Sequence, residues 1–296
     1  MKVGTMQIRE IISTKWGSID NFLQEEPQCA PDINEIVSRE LNLYRAKLLR
    51  EKFNQRLKKA GLNQLKNRQQ PYSSKTIIRD GYMSIKNAFE PETHRRIQFE
   101  ILEYLMTKNK DDLKWEYRDQ NSTCDEVKGT HFWNLNPVVN NIIREKVRSI
   151  IESEIQLNKM EALGVSACMH IHHENDRDSL YHMDNFGAPT VKWFYFPFGC
   201  QDGDEGFTYC RNSNIINSYN EEYIRCISPY SQKKGLQKRI DPSDVSEIGK
   251  DVITFNQENS LVIADTSGFH ARARAKSGTL RVTIQGGLDS RVLAIG

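Results

Sequence analysis

Apolar positions along this chain fall into two textures. Through the first 160 residues they recur three and four apart, the spacing of one helical face. Ile36, Val37, Leu41, Tyr44, Leu48 and Phe53 form one such stripe. Asp32 and Glu35 stand before it as a D-x-x-E capping box, Lys58 and Lys59 suit the negative end of a helix dipole, and Gly61 can stop the helix. The pattern predicts an amphipathic helix packed on the outside of a main domain. A dimer helix or a nucleic-acid contact through its Lys/Arg face is the sharper alternative. Thr76 to Ile85 reads as extended around a break at Gly81. Pro91 and Pro137 each open a helix, where a missing N–H costs little. The first carries Ile97, Ile101, Leu102 and Leu105; the second carries Val138, Ile142, Ile143, Val147, Ile150 and Ile151.

From about residue 162 the texture changes. β-branched and aromatic runs appear (ALGVSACMHIH, VKWFYFPF, DVITFNQ, SLVIAD, TLRVTIQG), separated by Gly, Asn, Asp and Ser. Short strands with turn signals and no helices between them predict a β-sandwich or barrel. A polar, irregular stretch over about 210–250 is long for a plain connection and reads as a lid-like insertion. The expected organisation is a helical extension over 1–75 and a mainly β domain over 76–296.

Composition narrows the function. With 296 residues the chain can bury a core without disulfides or a structural metal. Forty-one Lys and Arg against 39 Asp and Glu leave a net charge of +2, unlike a dedicated nucleic-acid binder. No apolar run approaches 18 residues, and MKVGTMQIREIIST lacks the apolar core of a secretory signal. The six cysteines contain no C-x-x-C pair, which fits neither a disulfide framework nor a zinc knuckle. The expectation is a cytoplasmic protein that acts on a small molecule, with no nucleic-acid or membrane partner, as a monomer or homodimer.

Two local patterns carry chemistry. In Tyr181-His182-Met183-Asp184, the imidazole and carboxylate are two apart and share a face if the segment is extended. Asp265-Thr266-Ser267-Gly268-Phe269-His270 places a second histidine after a glycine turn, and Arg281 follows eleven residues later. Two His and one Asp with open positions make the facial triad of non-haem Fe(II) oxygenases. The guanidinium of Arg281 suits the far carboxylate of 2-oxoglutarate. Arg272 lies two residues beyond His270, and His170 and His172 share a strand face before the first motif. Together with Arg274, these extra cations suit a carboxylate, a phosphate or a CoA-linked substrate.

These segments resemble the phytanoyl-CoA dioxygenase-like branch of the Fe(II)/2-oxoglutarate-dependent oxygenases over about residues 76–290. The likeness rests on Ile78–Phe89, on His182-Met183-Asp184, on Asn259–His270 and on Arg281. It implies an α+β chain with a mainly β core: a double-stranded β-helix, or cupin-like jelly roll, with supporting helices. It implies Fe(II) held by His182, Asp184 and His270, with 2-oxoglutarate on Arg281, O2 as oxidant and ascorbate as an activator in vitro. Trp193 sits where the family often has a Trp near the co-substrate, and alternation adds Tyr195 to its face. Tyr195, Arg272 and His172 are the expected substrate contacts.

Halogenating relatives replace the carboxylate, so Asp184 favours hydroxylation, or oxidative cyclisation or desaturation, over halogenation. Where relatives often carry a Gly-Ser-His turn, this chain has Cys210-Arg211-Asn212-Ser213-Asn214. The expected substrate is a small carboxylated metabolite of a biosynthetic pathway. A fatty acyl-CoA hydroxylase and a non-redox cupin-like metal-binding protein are the alternatives.

Overall fold

The strand VKWFYF is buried on both faces, as a strand with layers on either side must be. The computed structural model describes residues 5–24, 34–66, 74–107, 114–117, 125–129, 137–155, 166–172, 180–200, 206–227, 239–240, 251–272 and 279–288. Its helices are α1 (Thr5–Trp16), α2 (Ile19–Gln24), α3 (Glu35–Lys66), α4 (Ser74–Asp80), α5 (Pro91–Thr107), α6 (Pro137–Ile155) and α7 (Ser218–Cys226). The strands are β1 (Tyr82–Ile85), β2 (Lys114–Tyr117), β3 (Asp125–Gly129), β4 (Ser166–His172), β5 (Val191–Phe196), β6 (Phe207–Cys210), β7 (Val252–Phe255), β8 (Ser260–Asp265), β9 (His270–Arg272) and β10 (Thr279–Leu288).

Seven strands form an antiparallel sheet in the order β1-β8-β5-β10-β4-β3-β2, and three form a second in the order β7-β6-β9. Isolated bridges Tyr181↔Ile240 and His182↔His270 extend the smaller sheet past β9. The jelly roll expected for the domain is present: two antiparallel sheets with helices against them. The larger sheet turns Trp193 and Tyr195 of β5, Leu261 and Ile263 of β8, and Val282 and Ile284 of β10 toward α5 and α6. Its opposite face turns Phe194, Phe196, Val262 and Ala264 toward Phe207 and Tyr209 of the smaller sheet. Beyond the smaller sheet, Tyr181, Met183, Phe269 and Ala271 pack on Tyr223 and Ile224 of α7 and on Leu43 and Ala46 of α3. The proposed chemistry therefore sits between two sheets, each backed by helices.

Three local expectations are corrected. Thr76–Asp80, the first half of the segment expected to be extended, belongs instead to the helix Ser74–Asp80, which ends at Gly81. Gly81 has φ +86° and donates its N–H to the Ile77 carbonyl at 3.0 Å, so it closes a helix rather than breaking a strand. α3 begins at Glu35 on a cap from Asn34, whose Oδ1 accepts the Val37 N–H at 2.9 Å. Asp32, the expected cap, lies outside the described residues. α3 also continues through Gly61 to Lys66. Within the lid-like stretch, 218–226 is helix, while 228–238 and 241–250 lie outside the described residues. Among the described helices none is long and apolar enough to cross a membrane.

Candidate metal centre

The site is built by a pairing between residues 88 apart. His182 N–H donates to the His270 carbonyl and His270 N–H donates to the His182 carbonyl, each at 3.0 Å. This reciprocal antiparallel pair sets the two residues directly opposite each other on one face. Their rings lie 4.3 Å apart between centroids. Asp184, two residues on, keeps that face because its N–H is tied to the Thr266 carbonyl at 2.9 Å. Asn185, Phe186 and Gly187 follow with φ of 46°, 54° and 79°. Three left-handed residues in a row swing the chain off this strand toward β5.

One ligand atom from each of His182, Asp184 and His270 falls within a sphere of 4.8 Å. Asp184 Oδ1 lies 4.0 Å from His182 Nε2, and Asp184 Oδ2 lies 3.4 Å from His270 Nε2. His270 Nδ1 is 2.9 Å from the Gly268 carbonyl, and His182 Nδ1 is 3.2 Å from the Leu180 carbonyl. A carbonyl only accepts, so the His270 contact places the proton on its Nδ1 and leaves its Nε2 lone pair facing the carboxylate. At His182, Arg239 Nη1 also lies 3.2 Å from Nδ1; a guanidinium only donates, so this contact favours a bare Nδ1 where the Leu180 carbonyl favours a protonated one.

Burial disfavours charge on His182, and the neighbouring His270 adds to this, so its pKa falls well below the ordinary value. Burial pushes the Asp184 carboxyl up, but the Lys192 ammonium and the two imidazoles overcome it and hold its pKa well below the carboxylate range. A neutral imidazole and an ionised carboxylate are the forms a divalent metal needs.

Lys192 was not anticipated as a site residue. Its Nζ is 2.7 Å from Asp184 Oδ2. The contact is an ion pair: Oδ2 is buried and, among the described residues, makes no hydrogen bond of good geometry. The one available signal was a lysine in an otherwise apolar and aromatic strand. Phe207 of β6 lies beside the site, with its ring centroid 5.8 Å from that of His270.

A second group holds the His270 turn from below. Asp265 is fully buried. It pairs with Arg50 of α3, which also donates to Ser267 Oγ. Asp265 Oδ1 further accepts from Ser267 Oγ at 2.7 Å and from the Thr190 N–H at 3.2 Å.

The remaining expected site residues divide. Trp193 and Tyr195 are not at the centre: both point through the larger sheet into the helix-facing core, on the opposite face from Lys192. There the Tyr195 hydroxyl meets His94 Nδ1 at 2.6 Å. Alternation correctly paired the two aromatics, but their side of the sheet was reversed. Arg272 is half-buried on β9, opposite Phe207. Arg281 stands opposite His170 and His172 opposite Thr279 in the β10–β4 pairing; the side chains of all four lie outside the described residues, as does Arg274. Thr283, two residues beyond Arg281, buries a hydroxyl with no hydrogen-bond partner among the described residues.

No protein-family model matches the sequence, and no curated protein matches it. The fold has solved counterparts. The non-heme alpha ketoglutarate dependent carbocyclase SnoK from nogalamycin biosynthesis aligns with a TM-score of 0.51 and 12% identity, over 74% of this chain and 84% of SnoK. The epimerase SnoN from the same biosynthesis aligns with a TM-score of 0.50 and 9% identity, over 72% of this chain and 80% of SnoN. The shared architecture is the double-stranded β-helix.

Proposed function

We propose that the chain is a non-haem Fe(II)/2-oxoglutarate-dependent oxygenase that oxidises a C–H bond of a small carboxylated metabolite. The observation that carries this is the meeting of His182, Asp184 and His270 within 4.8 Å between the sheets of a double-stranded β-helix. Two imidazoles and one carboxylate suit Fe(II) with positions left open. The donor set fits the metal, since His182 Nε2 faces Asp184 Oδ1 and His270 Nε2 faces Asp184 Oδ2, with Lys192 holding the carboxylate in its charged form. SnoK and SnoN are described as alpha ketoglutarate dependent enzymes, and the common fold supports extending that chemistry to this chain.

Iron and 2-oxoglutarate, when bound, supply the oxidising power: O2 is consumed, succinate and CO2 leave, and the substrate gains one oxygen or loses two hydrogens. The protein's share is placement and exclusion of water. His182, Asp184 and His270 hold the metal on one face of the smaller sheet. Arg281 on β10 is assigned the distal carboxylate of the co-substrate. The unmet hydroxyl of Thr283, close along the same strand, is a polar group that a dicarboxylate can satisfy. Lys192 keeps Asp184 ionised and turns a second cation toward the site. Arg272, on the strand that carries His270, is assigned the substrate carboxylate.

Anaerobic addition of Fe(II) and then 2-oxoglutarate is expected to give a weak visible charge-transfer band, and a screen of carboxylated metabolites with O2 and ascorbate is expected to release succinate. Metal binding with neither band nor succinate would leave a non-redox metal protein and end the oxygenase reading. The Arg272→Ala variant is expected to raise KM for the substrate far more than KM for 2-oxoglutarate. An equal effect on both removes the assignment of that residue.

A further inference from the structure

The turn that carries His270 is gripped from two sides. Arg50 of α3 holds Asp265 and Ser267. Ser213, in the turn after β6, accepts the Phe269 N–H on its Oγ at 2.7 Å. A cleft of about 540 Å³ lies between the elements that supply these grips. One wall is α3, with Lys47, Arg50, Glu51 and Lys58; the other carries Ile78, Ile215 and Ile216 alongside Asn214 and Glu221. None of His182, Asp184, Lys192 or His270 lines it. Its volume falls within the range of small-molecule sites.

The charges in this cleft are unevenly matched. Lys47 pairs with Glu221 at 2.6 Å, and Arg50 pairs with Asp265. Glu51 and Lys58, which also line the cleft, meet no opposite charge among the described residues; Glu51 only accepts a 3.4 Å hydrogen bond from Gln55. These two residues are seven apart on α3, roughly 10 Å along the axis at about 1.5 Å per residue. One exposed anion and one exposed cation thus stand two turns apart, facing an isoleucine wall. The cleft also contains unmet polar groups. Arg50 and Asn214 both line it and are both more than nine-tenths buried, and Arg50 Nε and Asn214 Oδ1 have no hydrogen-bond partner among the described residues. Such atoms are costly when left unsatisfied.

We propose that this cleft binds a small zwitterion whose ammonium and carboxylate lie about 10 Å apart on an apolar body, and that its binding steadies the turn that carries His270. Glu51 takes the ammonium, Lys58 takes the carboxylate, and the isoleucines cover the chain between them. The link to the turn is short: Arg50 reaches Asp265 directly, and Asn214 adjoins Ser213, which holds Phe269. A ligand seated between α3 and the 211–217 turn bears on both grips at once. The effector site is separate from the metal ligands, and neither half of the proposal requires metal or turnover.

The test uses the full metal-free chain, with 8-aminooctanoate as the probe and octanoate and octylamine as single-charge controls. Calorimetric titration is expected to show saturable binding of the zwitterion to one site, at least fivefold tighter than either control. The Glu51→Gln and Lys58→Met variants, both at exposed positions, are each expected to weaken it at least fivefold. At saturation, amide hydrogen exchange at Ser267–His270 is expected to slow. Absence of saturable binding, equal binding of the three compounds, unchanged affinity in the two variants, or unchanged exchange in the turn would each overturn the proposal. None of these outcomes bears on whether the metal centre is an oxygenase.

Discussion

At the scale of single residues, Lys192 and Asp184 decide how the proposed centre is tuned. The Lys192 ammonium occupies one side of a carboxylate oxygen that a metal would share. Lys192 is about two-fifths exposed, so the pair is solvent-screened and worth at most about 1 kcal/mol. The Lys192→Met variant is therefore expected to bind Co(II) up to about fivefold more tightly than the wild type in a competition titration at pH 7. Weaker binding in the variant would mean that Lys192 helps the metal instead of competing with it. His182 gives a separate pH signature. Native His182 stays neutral because its burial opposes the proton, whereas the unfolded chain takes one up as pH falls below about 6.5. The unfolded state then binds more protons, so stability falls with decreasing pH. The contribution is full above about pH 6.5 and is lost progressively below it. Thermal midpoints of the metal-free protein are expected to drop between pH 6.5 and pH 5, with a shallower drop in His182→Gln. Equal slopes for the two proteins would assign the drop to other groups; Asp184, also held low, loses its contribution only in the more acidic carboxylate range. These residues differ in how far the sequence reveals them. His182 and Asp184 are legible because two-residue spacing fixes a common face. Trp193 and Tyr195 were assigned to the wrong face because β5 is buried on both sides, so alternation cannot say which side holds the site. Lys192 carried a signal, being the one charged residue in that strand.

At the scale of elements, the His270 turn is the piece whose support the sequence hid. Arg50 and Asp265 are 215 positions apart, and nothing local in α3 marks Arg50 among its other cations. Removing the cation would leave Asp265 buried and unpaired, which costs about 3–5 kcal/mol. The Arg50→Met variant is expected to lose stability of that order in urea unfolding and also to bind Co(II) more weakly, because Ser267 loses its donor along with Asp265. Adding Asp265→Leu to Arg50→Met is expected to recover part of the stability without restoring metal binding, since an apolar pair can pack but cannot hold the turn. Full recovery of both would reduce the pair to a packing feature. Gly268 is constrained from the other side, where a Cβ would collide with the Tyr209 hydroxyl and crowd Ser213 Oγ. The same scale explains α4. Thr76, Ile77 and Ile78 have β-branched side chains and read as strand. Yet Ile77 is buried in the main core, and Gly81 accepts the left-handed conformation that ends a helix. Tertiary burial outweighed propensity there.

At the scale of the whole molecule, the jelly roll was legible, but the part played by residues before 75 was not. Alternating β texture after residue 162 and proline-led helices before it were sufficient to predict layers. They could not show that α3 crosses from one core to another. Phe53 and Leu57 lie in the core under the larger sheet, while Leu43 and Ala46 lie in the core behind the smaller one. Arg225 of α7 also reaches back to Glu40 of α3 at 2.8 Å. A helix that only rested on the outside could be removed without harm. Here Leu49, Phe53 and Leu57 are fully buried. Each contributes about 1.5–3 kcal/mol of apolar burial, and loss of Arg50 adds the exposed cost of Asp265. Their sum reaches the whole stability of an ordinary domain, about 5–15 kcal/mol. A chain beginning at residue 67 is therefore expected to lack a cooperative thermal transition and to bind Co(II) no better than a denatured control. A chain lacking only residues 1–16 removes α1 alone and is expected to keep the transition, with a lower midpoint, because Ile8 and Ile12 pack on a separate cluster with Phe22, Leu23 and Leu41. A 67–296 fragment that melts cooperatively near the full-length midpoint would show that the two sheets and their other helices suffice, and that α3 is the outer layer its charge pattern predicts.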